Sequence, residues 1–183
     1  MEADNRKPFL VGVLAGLAGL GLVLLLTALF VIYTGSYNIA ATEDHSPFVR
    51  WAFTTTMKSS IKGRATDVEA PENFSGAMIA AGAEEYKAMC QHCHGGVGSE
   101  ADDWAKGMLP QPPHLPDVVA EWEPSEVFWL VKHGIKMTGM PAFGSSHDDQ
   151  TLWNIVAFVN QLPGMTAEEY KNFESSRSGG HTH

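Results

Sequence analysis

Cysteine is scarce in this sequence: the 183-residue chain contains only two, Cys90 and Cys93. Both fall in one short stretch, Cys90-Gln91-His92-Cys93-His94. Once both thiols are used in a single covalent reaction, none is left for a disulfide, a zinc site or a nucleophile. All the cysteine chemistry of this protein is therefore confined to one short stretch.

Basic residues are also few in the larger part of the chain. Residues 65–183 contain 17 Asp or Glu against 6 Lys or Arg, a balance of −11. Binding to nucleic acid requires cations that neutralise phosphates, so this balance excludes a nucleic-acid partner. It favours a protein partner with a basic docking patch. An acidic surface that serves only solubility is the alternative.

The spacing of the two cysteines is typical of the covalent attachment of c-type haem. In that chemistry the two thiols add to the two vinyl groups of the porphyrin, and the adjacent histidine, here His94, faces the iron. A thioredoxin-like redox pair would need a βαβ pattern, which is not found nearby. A zinc site formed by the two cysteines with His92 and His94 would put too many ligands on one turn for a tetrahedron. One motif predicts one haem c, held through thioethers at Cys90 and Cys93.

The second axial ligand decides what such a haem can do. Iron held by histidine and methionine transfers electrons, whereas an open position binds oxygen, nitric oxide or peroxide. Downstream lies Met137-Thr138-Gly139-Met140-Pro141. Proline holds the preceding residue extended, so we predict His94 and Met140 as the axial ligands, with Met137 as the alternative. Two core methionines that only fill space would also be possible.

The stretch Cys90–His94, the later Met140-Pro141 and a closing aromatic helix together resemble the class I monohaem cytochromes c, over residues 76–163. The resemblance implies a small all-α domain around one haem, with one haem edge exposed for electron exchange. It also implies that a first helix, about residues 76–90, packs across a last helix, about residues 148–161, through Gly82 and Tyr86.

A hydrogen bond to the proximal histidine also follows from this resemblance. In the family, a proline carbonyl after the motif accepts the remaining ring N–H of the proximal histidine, as partners of metal ligands do. The following loop contains four prolines, of which we expect Pro110 or Pro112 to bind His94. The other histidines of the domain, His114, His133 and His147, are interpreted as surface residues.

Phe9–Tyr33 is a long run of 25 residues without a charge. As a helix it would measure about 37 Å, against about 30 Å for the hydrocarbon core of a bilayer, so it predicts a transmembrane anchor. A cleaved signal peptide is the alternative, but its apolar core would be only about 7–15 residues long. Arg6 and Lys7 precede the run, which places the N-terminus in the cytoplasm and the haem domain outside.

Further helices are marked by their end signals. Ser46-Pro47 predicts a helix that begins there and runs to about Gly63, with an apolar and a basic side. This helix would lie in the membrane interface or pack against the haem domain or a partner. Glu123-Pro124 and Gly134 bound another helix, and Thr166 with Glu169 forms a capping box for a last one, residues 166–173.

The sequence thus predicts an all-α protein with an N-terminal transmembrane helix and a small helical domain around one haem. The predicted segments are a cytoplasmic N-terminus (1–8), the anchor (9–33), a juxtamembrane helix with its connector (34–75), the cytochrome c domain (76–163) and a C-terminal extension (164–183).

The function we predict is single-electron transfer on the periplasmic side of the bacterial inner membrane. We expect a membrane respiratory, dehydrogenase or reductase complex as partner, no small-molecule substrate and no enzymatic activity. The alternatives are a haem enzyme or gas sensor with an open iron position, and a free tethered shuttle between complexes.

Overall fold

The computed structural model describes residues 6–175, which fall into two compact units, divided between Glu43 and Asp44. The expectations for residues 1–5 of the N-terminus and residues 176–183 of the C-terminal extension lie outside the described part of the chain. Within residues 6–175 the structure contains helices and no β-strand, apart from an isolated bridge between Gly96 and Ser99. The predicted all-α fold class is confirmed.

The first unit contains one long helix, α1 (Arg6–Thr34). Helix α1 is long and apolar enough to cross a membrane. Its two threonines satisfy their hydroxyls internally: Thr27 Oγ1 donates to the Val23 carbonyl at 2.9 Å, and Thr34 Oγ1 to the Phe30 carbonyl at 2.7 Å. Such internal bonds matter in a hydrocarbon environment, where no water is present to pair with polar groups.

The second unit is a bundle of short helices connected by loops. Its α-helices are α2 (Pro47–Ala65), α3 (Gly76–Glu85), α4 (Gln91–His94), α5 (Leu115–Val118), α6 (Pro124–His133), α7 (Asp149–Val159) and α8 (Ala167–Ser175). Short 3₁₀ turns cover Asp103–Gly107, Val119–Glu121, Phe143–Ser145 and Leu162–Gly164. The predicted helix of residues 76–90 differs at its end, because α3 widens into one π-helical turn over Tyr86–Cys90.

The core of the second unit forms where α3 crosses α7. Gly82 lies at the crossing, and a Cβ atom there would overlap the backbone carbonyl of Asn154. The Tyr86 ring lies 5.4 Å from the Phe158 ring. The predicted packing of the first helix on the last through Gly82 and Tyr86 is therefore confirmed.

Helix α7 supplies more of the buried apolar side chains than any other helix in the described part of the second unit. Its inward residues are fully buried: Leu152, Ile155, Val156, Ala157, Phe158 and Val159. Burying one large apolar side chain stabilises a fold by about 1.5–3 kcal/mol. On the neighbouring helix α6, the Phe128 ring stacks on Trp153 with 4.1 Å between ring centroids.

Helix α2 packs against α6 through its C-terminal half, where Ile61 and Ala65 are buried. This helix was expected to lie in the membrane interface or to pack against the haem domain or a partner. The structure shows it packed on the helical domain. Residues 65–75, within the segment 34–75 that was expected to hold a juxtamembrane helix and its connector, also contact the core, through Val68 and Phe74. The opposite end of α2 remains exposed and carries Phe48, Trp51 and Phe53.

The predicted end signals of α6 and α8 are confirmed. Helix α6 has a capping box, in which the Glu123 backbone N–H donates to Glu126 Oε2 at 3.0 Å, and it ends before Gly134 at φ 64°. At the start of α8, the Glu169 backbone N–H donates to Thr166 Oγ1 at 3.2 Å, and the Thr166 N–H donates back to Glu169 Oε2 at 2.7 Å.

Candidate functional site

The stretch Cys90–His94 forms a tight turn between α3 and the following loop. The π-helical turn ends at Cys90, helix α4 covers Gln91–His94, and Gly95 then reverses the chain at φ 67°. A side chain at Gly95 would be strained by this φ, and its Cβ would lie 2.8 Å from the Ser99 carbonyl. Glycine is therefore required directly after the motif.

The turn is fixed to the core by Tyr86, whose hydroxyl donates to the Gly95 carbonyl at 2.7 Å. Burial is the main cause that raises the pKa of Tyr86, so the hydroxyl stays protonated and remains a donor. On the outer side, the Asp102 backbone N–H donates to the His92 carbonyl at 2.9 Å, and the Asp102 carboxylate accepts from His92 Nδ1 at 3.0 Å.

His94 is oriented by a backbone carbonyl. Its Nδ1 lies 2.8 Å from the Pro113 carbonyl oxygen; since that oxygen can only accept, Nδ1 carries the proton and the lone pair of a neutral ring is on Nε2. Burial lowers the pKa of His94 more than the Pro113 hydrogen bond raises it, which favours the neutral ring. The ring therefore presents Nε2 as a metal ligand.

The prediction that the carbonyl of Pro110 or Pro112 accepts the hydrogen bond of His94 is wrong. The structure assigns this role to Pro113. A proline is present at several positions of the loop, but which carbonyl faces the imidazole depends on the backbone torsions of the whole loop. The sequence shows the prolines and does not show those torsions.

The two thiols lie in an environment that keeps them protonated. Burial, with a contribution from Cys93 and Glu85, raises the pKa of Cys90 to about 12, and burial together with Asp102 raises that of Cys93. A thioredoxin-like pair requires the opposite shift, toward a thiolate near neutral pH. Zinc is not supported either: among residues 6–175, no group of three or more His, Cys, Asp or Glu could hold a metal ion.

The two candidate methionines lie in different environments. Met140 is partly buried and packs against the same core as Cys90. Its loop is fixed by bonds from the Met140 N–H to Thr138 Oγ1 at 3.1 Å and from the Ile135 N–H to the Met140 carbonyl at 3.2 Å. Met137 is 87% exposed, at φ 62°. Of the two, only Met140 is placed at the core that Cys90 contacts.

Comparison with known protein families gives a match over this region. The family model described as cytochrome C oxidase, cbb3-type, subunit III matches residues 77–159. Residues 77–159 form a monohaem class I c-type cytochrome domain. Comparison with curated proteins gives no match.

The residues of this cytochrome domain fit the cofactor that the family implies, haem c. Two protonated, partly buried thiols precede an imidazole with a free Nε2 lone pair, and a thioether sulfur lies at the same core. Histidine and methionine are the pair of donors typical of electron-transfer haems. The general function of the domain is therefore electron transfer by a c-type cytochrome.

His114, interpreted from the sequence as a surface histidine, has a side chain that is 37% exposed and that makes two hydrogen bonds. Its Nε2 lies 3.1 Å from the Gly96 carbonyl and its Nδ1 lies 3.0 Å from Asp117 Oδ2. Both partners are acceptors, so the two hydrogen bonds can form together only when the ring is protonated. Partial burial alone would lower the pKa of His114, but the bonds to Asp117 and Gly96 outweigh it and raise the pKa. In the sequence, the acidic Asp117 three residues after His114 is the feature that indicates this contact.

Proposed function

We propose that the protein carries single electrons through one haem c, attached by thioethers at Cys90 and Cys93 and ligated by His94 and Met140. The observation that carries this proposal is the 2.8 Å bond between His94 Nδ1 and the Pro113 carbonyl. It leaves Nε2 as the ring nitrogen that can ligate iron, directly after the two thiols.

The chain's own contribution is to hold the two ligands. When bound, haem supplies one-electron chemistry between two oxidation states of its iron. Pro113 holds the imidazole of His94, and the bonds of Thr138 and Ile135 hold the loop that carries Met140. Because a thioether ligand raises the reduction potential of a cytochrome c haem, Met140 would set the potential of this carrier.

An electron carrier and an open-site haem protein differ in their spectra. We expect the ferric protein, produced in a bacterium that matures c-type cytochromes, to show a sulfur-to-iron charge-transfer band. We also expect the ferrous protein to bind carbon monoxide poorly, because Met140 would hold the iron at its second axial position. Absence of the band together with ready carbon monoxide binding would favour a haem enzyme or gas sensor.

We propose further that α1 anchors the protein in the bacterial inner membrane as a single-pass helix, with the cytochrome domain in the periplasm. Support comes from the charge-free run Phe9–Tyr33 and from Arg6 and Lys7 at its N-terminal end. Cysteine accessibility labelling in intact cells tests this orientation: a Cys at position 2 should be shielded, and a Cys at exposed Lys171 should react. The reverse pattern would invert the topology.

The proposed partner is a membrane respiratory complex. The matching family model is described as a subunit of a cbb3-type cytochrome oxidase, and the balance of −11 over residues 65–183, from 17 acidic and 6 basic residues, favours a basic docking patch. We expect the detergent-solubilised protein to copurify with an oxidase, reductase or dehydrogenase, and electron transfer to slow as salt screens exposed charges. Purification as an isolated protein would favour a free tethered shuttle, and salt-independent transfer would count against docking through charge.

A further inference from the structure

Helix α8 lies outside the family match of residues 77–159, yet one of its residues reaches the attachment motif. The Tyr170 hydroxyl donates to Gln91 Oε1 at 2.6 Å, although the two residues are 79 positions apart. Gln91 is the residue between Cys90 and His92. Tyr170 is only 2% exposed, so water competes little for this hydrogen bond.

Tyr170 also contacts the chain just before the motif. Lys87 is part of the π-helical turn that ends at Cys90, and its Nζ donates to the Tyr170 backbone carbonyl at 2.8 Å. The same Nζ lies 4.7 Å from the centroid of the Tyr170 ring, within the range of a cation–π interaction. Lys87 before Cys90 and Gln91 after it are therefore both connected to Tyr170 of α8.

The ring of Tyr170 packs against the backbone at Gly96, two residues after His94. A Cβ atom at Gly96 would overlap the Tyr170 ring. Residues before, within and after the motif thus all meet the same aromatic side chain.

Helix α8 is itself fixed to the core, so it can serve as a rigid support. The Tyr170 ring lies 6.1 Å from the Phe158 ring of α7, and the Phe173 ring lies 5.6 Å from Phe158. Tyr170 therefore connects the motif to α7, while Tyr86, the first residue of the π-helical turn, donates a hydrogen bond from its hydroxyl to the Gly95 carbonyl.

We propose that Tyr170 is a positioning residue for His94, acting through Gln91 and the turn Cys90–Gly96. The hydroxyl restrains Gln91, and the ring restrains Gly96, so that the short helix α4, and with it the imidazole, has one orientation. The axial role of His94 in this statement rests on the proposed function. The restraint on the turn itself does not.

The test uses Tyr170→Phe in the full-length, haem-loaded protein, because phenylalanine keeps the ring and removes only the hydroxyl. A single hydrogen bond changes an opening equilibrium by roughly threefold to tenfold. We expect exchange of the Gly95 and Gly96 amides, which donate to Gln91 and Ser99, to accelerate by about that factor. The haem methyl resonances of the ferric protein, which report the imidazole orientation, should shift as well. The control Lys171→Ala, on the exposed side of α8, should change neither.

A second variant, Gln91→Ala, removes the same hydrogen bond from the other side and serves if Tyr170→Phe does not fold. In a double-mutant cycle, the second substitution should add little to the first, because both delete one interaction. Additive effects would overturn the proposal. So would a Tyr170→Phe protein that unfolds at lower urea yet keeps the exchange rates and the spectrum of the parent, since α8 would then only add packing. A missing charge-transfer band would refute the Met140 ligation instead and would leave the amide-exchange result standing.

Discussion

Substitution of Gly82 by alanine tests the central helix crossing of the cytochrome domain. The added Cβ would overlap the Asn154 carbonyl and lie 3.0 Å from the Ile155 nitrogen. Both are backbone atoms of α7, so no flexible side chain can move aside and the two helices must separate. Overpacking of this kind costs typically about 1–3 kcal/mol, and a clash with backbone belongs at the upper end of that range.

Alanine also brings a gain, because replacing glycine in a helix interior stabilises the helix by about 1 kcal/mol. The net expectation for Gly82→Ala is therefore a loss of about 2 kcal/mol in the free energy of unfolding. For a unit of this size that corresponds to a melting midpoint lower by roughly 8 °C. Urea and thermal unfolding of the haem-loaded protein, followed by far-ultraviolet circular dichroism and by haem absorbance, measure both quantities.

The matched control is Gly63→Ala, since Gly63 lies inside α2 and, within residues 6–175, its added Cβ would meet no atom within 4 Å apart from the backbone of α2 and the two adjoining residues. This variant should be as stable as the parent or more stable by up to about 1 kcal/mol. If Gly82→Ala also equals or exceeds the parent, the crossing has room for a methyl group and the reasoning is wrong.

Three further predictions concern the site. Met140→Ala should leave the haem attached and lower its potential, whereas Met137→Ala, at an 87% exposed position, should change it much less; potentiometric titration showing the reverse order would move the ligand to Met137. Replacing both Cys90 and Cys93 by serine should abolish covalently bound haem, which is measured as the haem that stays attached to the denatured chain. A full yield of such haem would refute thioether attachment. The raised pKa of His114 gives a stabilisation that is complete below its unfolded pKa of about 6.5 and is lost as the pH rises through the folded value. The parent's urea midpoint should therefore fall relative to His114→Gln above pH 6.5, and a constant difference would contradict the Asp117 contact.

Features governed by local chemistry could be read from the sequence. Pro124 and Gly134 mark the ends of α6 because a proline lacks the N–H that is unpaired at a helix start and a glycine tolerates positive φ. Gly82 and Tyr86 were placed correctly because the family resemblance supplied the distant helix that they contact. The haem-attachment role of Cys90 and Cys93 was predicted from the spacing of the two cysteines alone.

Features governed by long-range geometry could not be read from the sequence. Pro113, and neither Pro110 nor Pro112, faces His94 because of the path of an entire loop. The bond from Tyr170 to Gln91 joins residues 79 positions apart, and no local pattern connects them. Tertiary packing likewise decided the position of α2, whose periodicity alone was compatible with either a membrane surface or the domain.

The packing of α2 on α6 determines where the chain can change its length. An insertion within residues 65–75 would alter the spacing between Ile61 and Phe74, which are both packed on the same unit. Residues 35–43 contain no helix and belong to the first compact unit, so an insertion there would leave the spacing between Ile61 and Phe74 unchanged. These residues reach about 30 Å when fully extended. Natural relatives that keep this architecture should therefore vary in length at residues 35–43 and keep a constant spacing from Ile61 to Phe74.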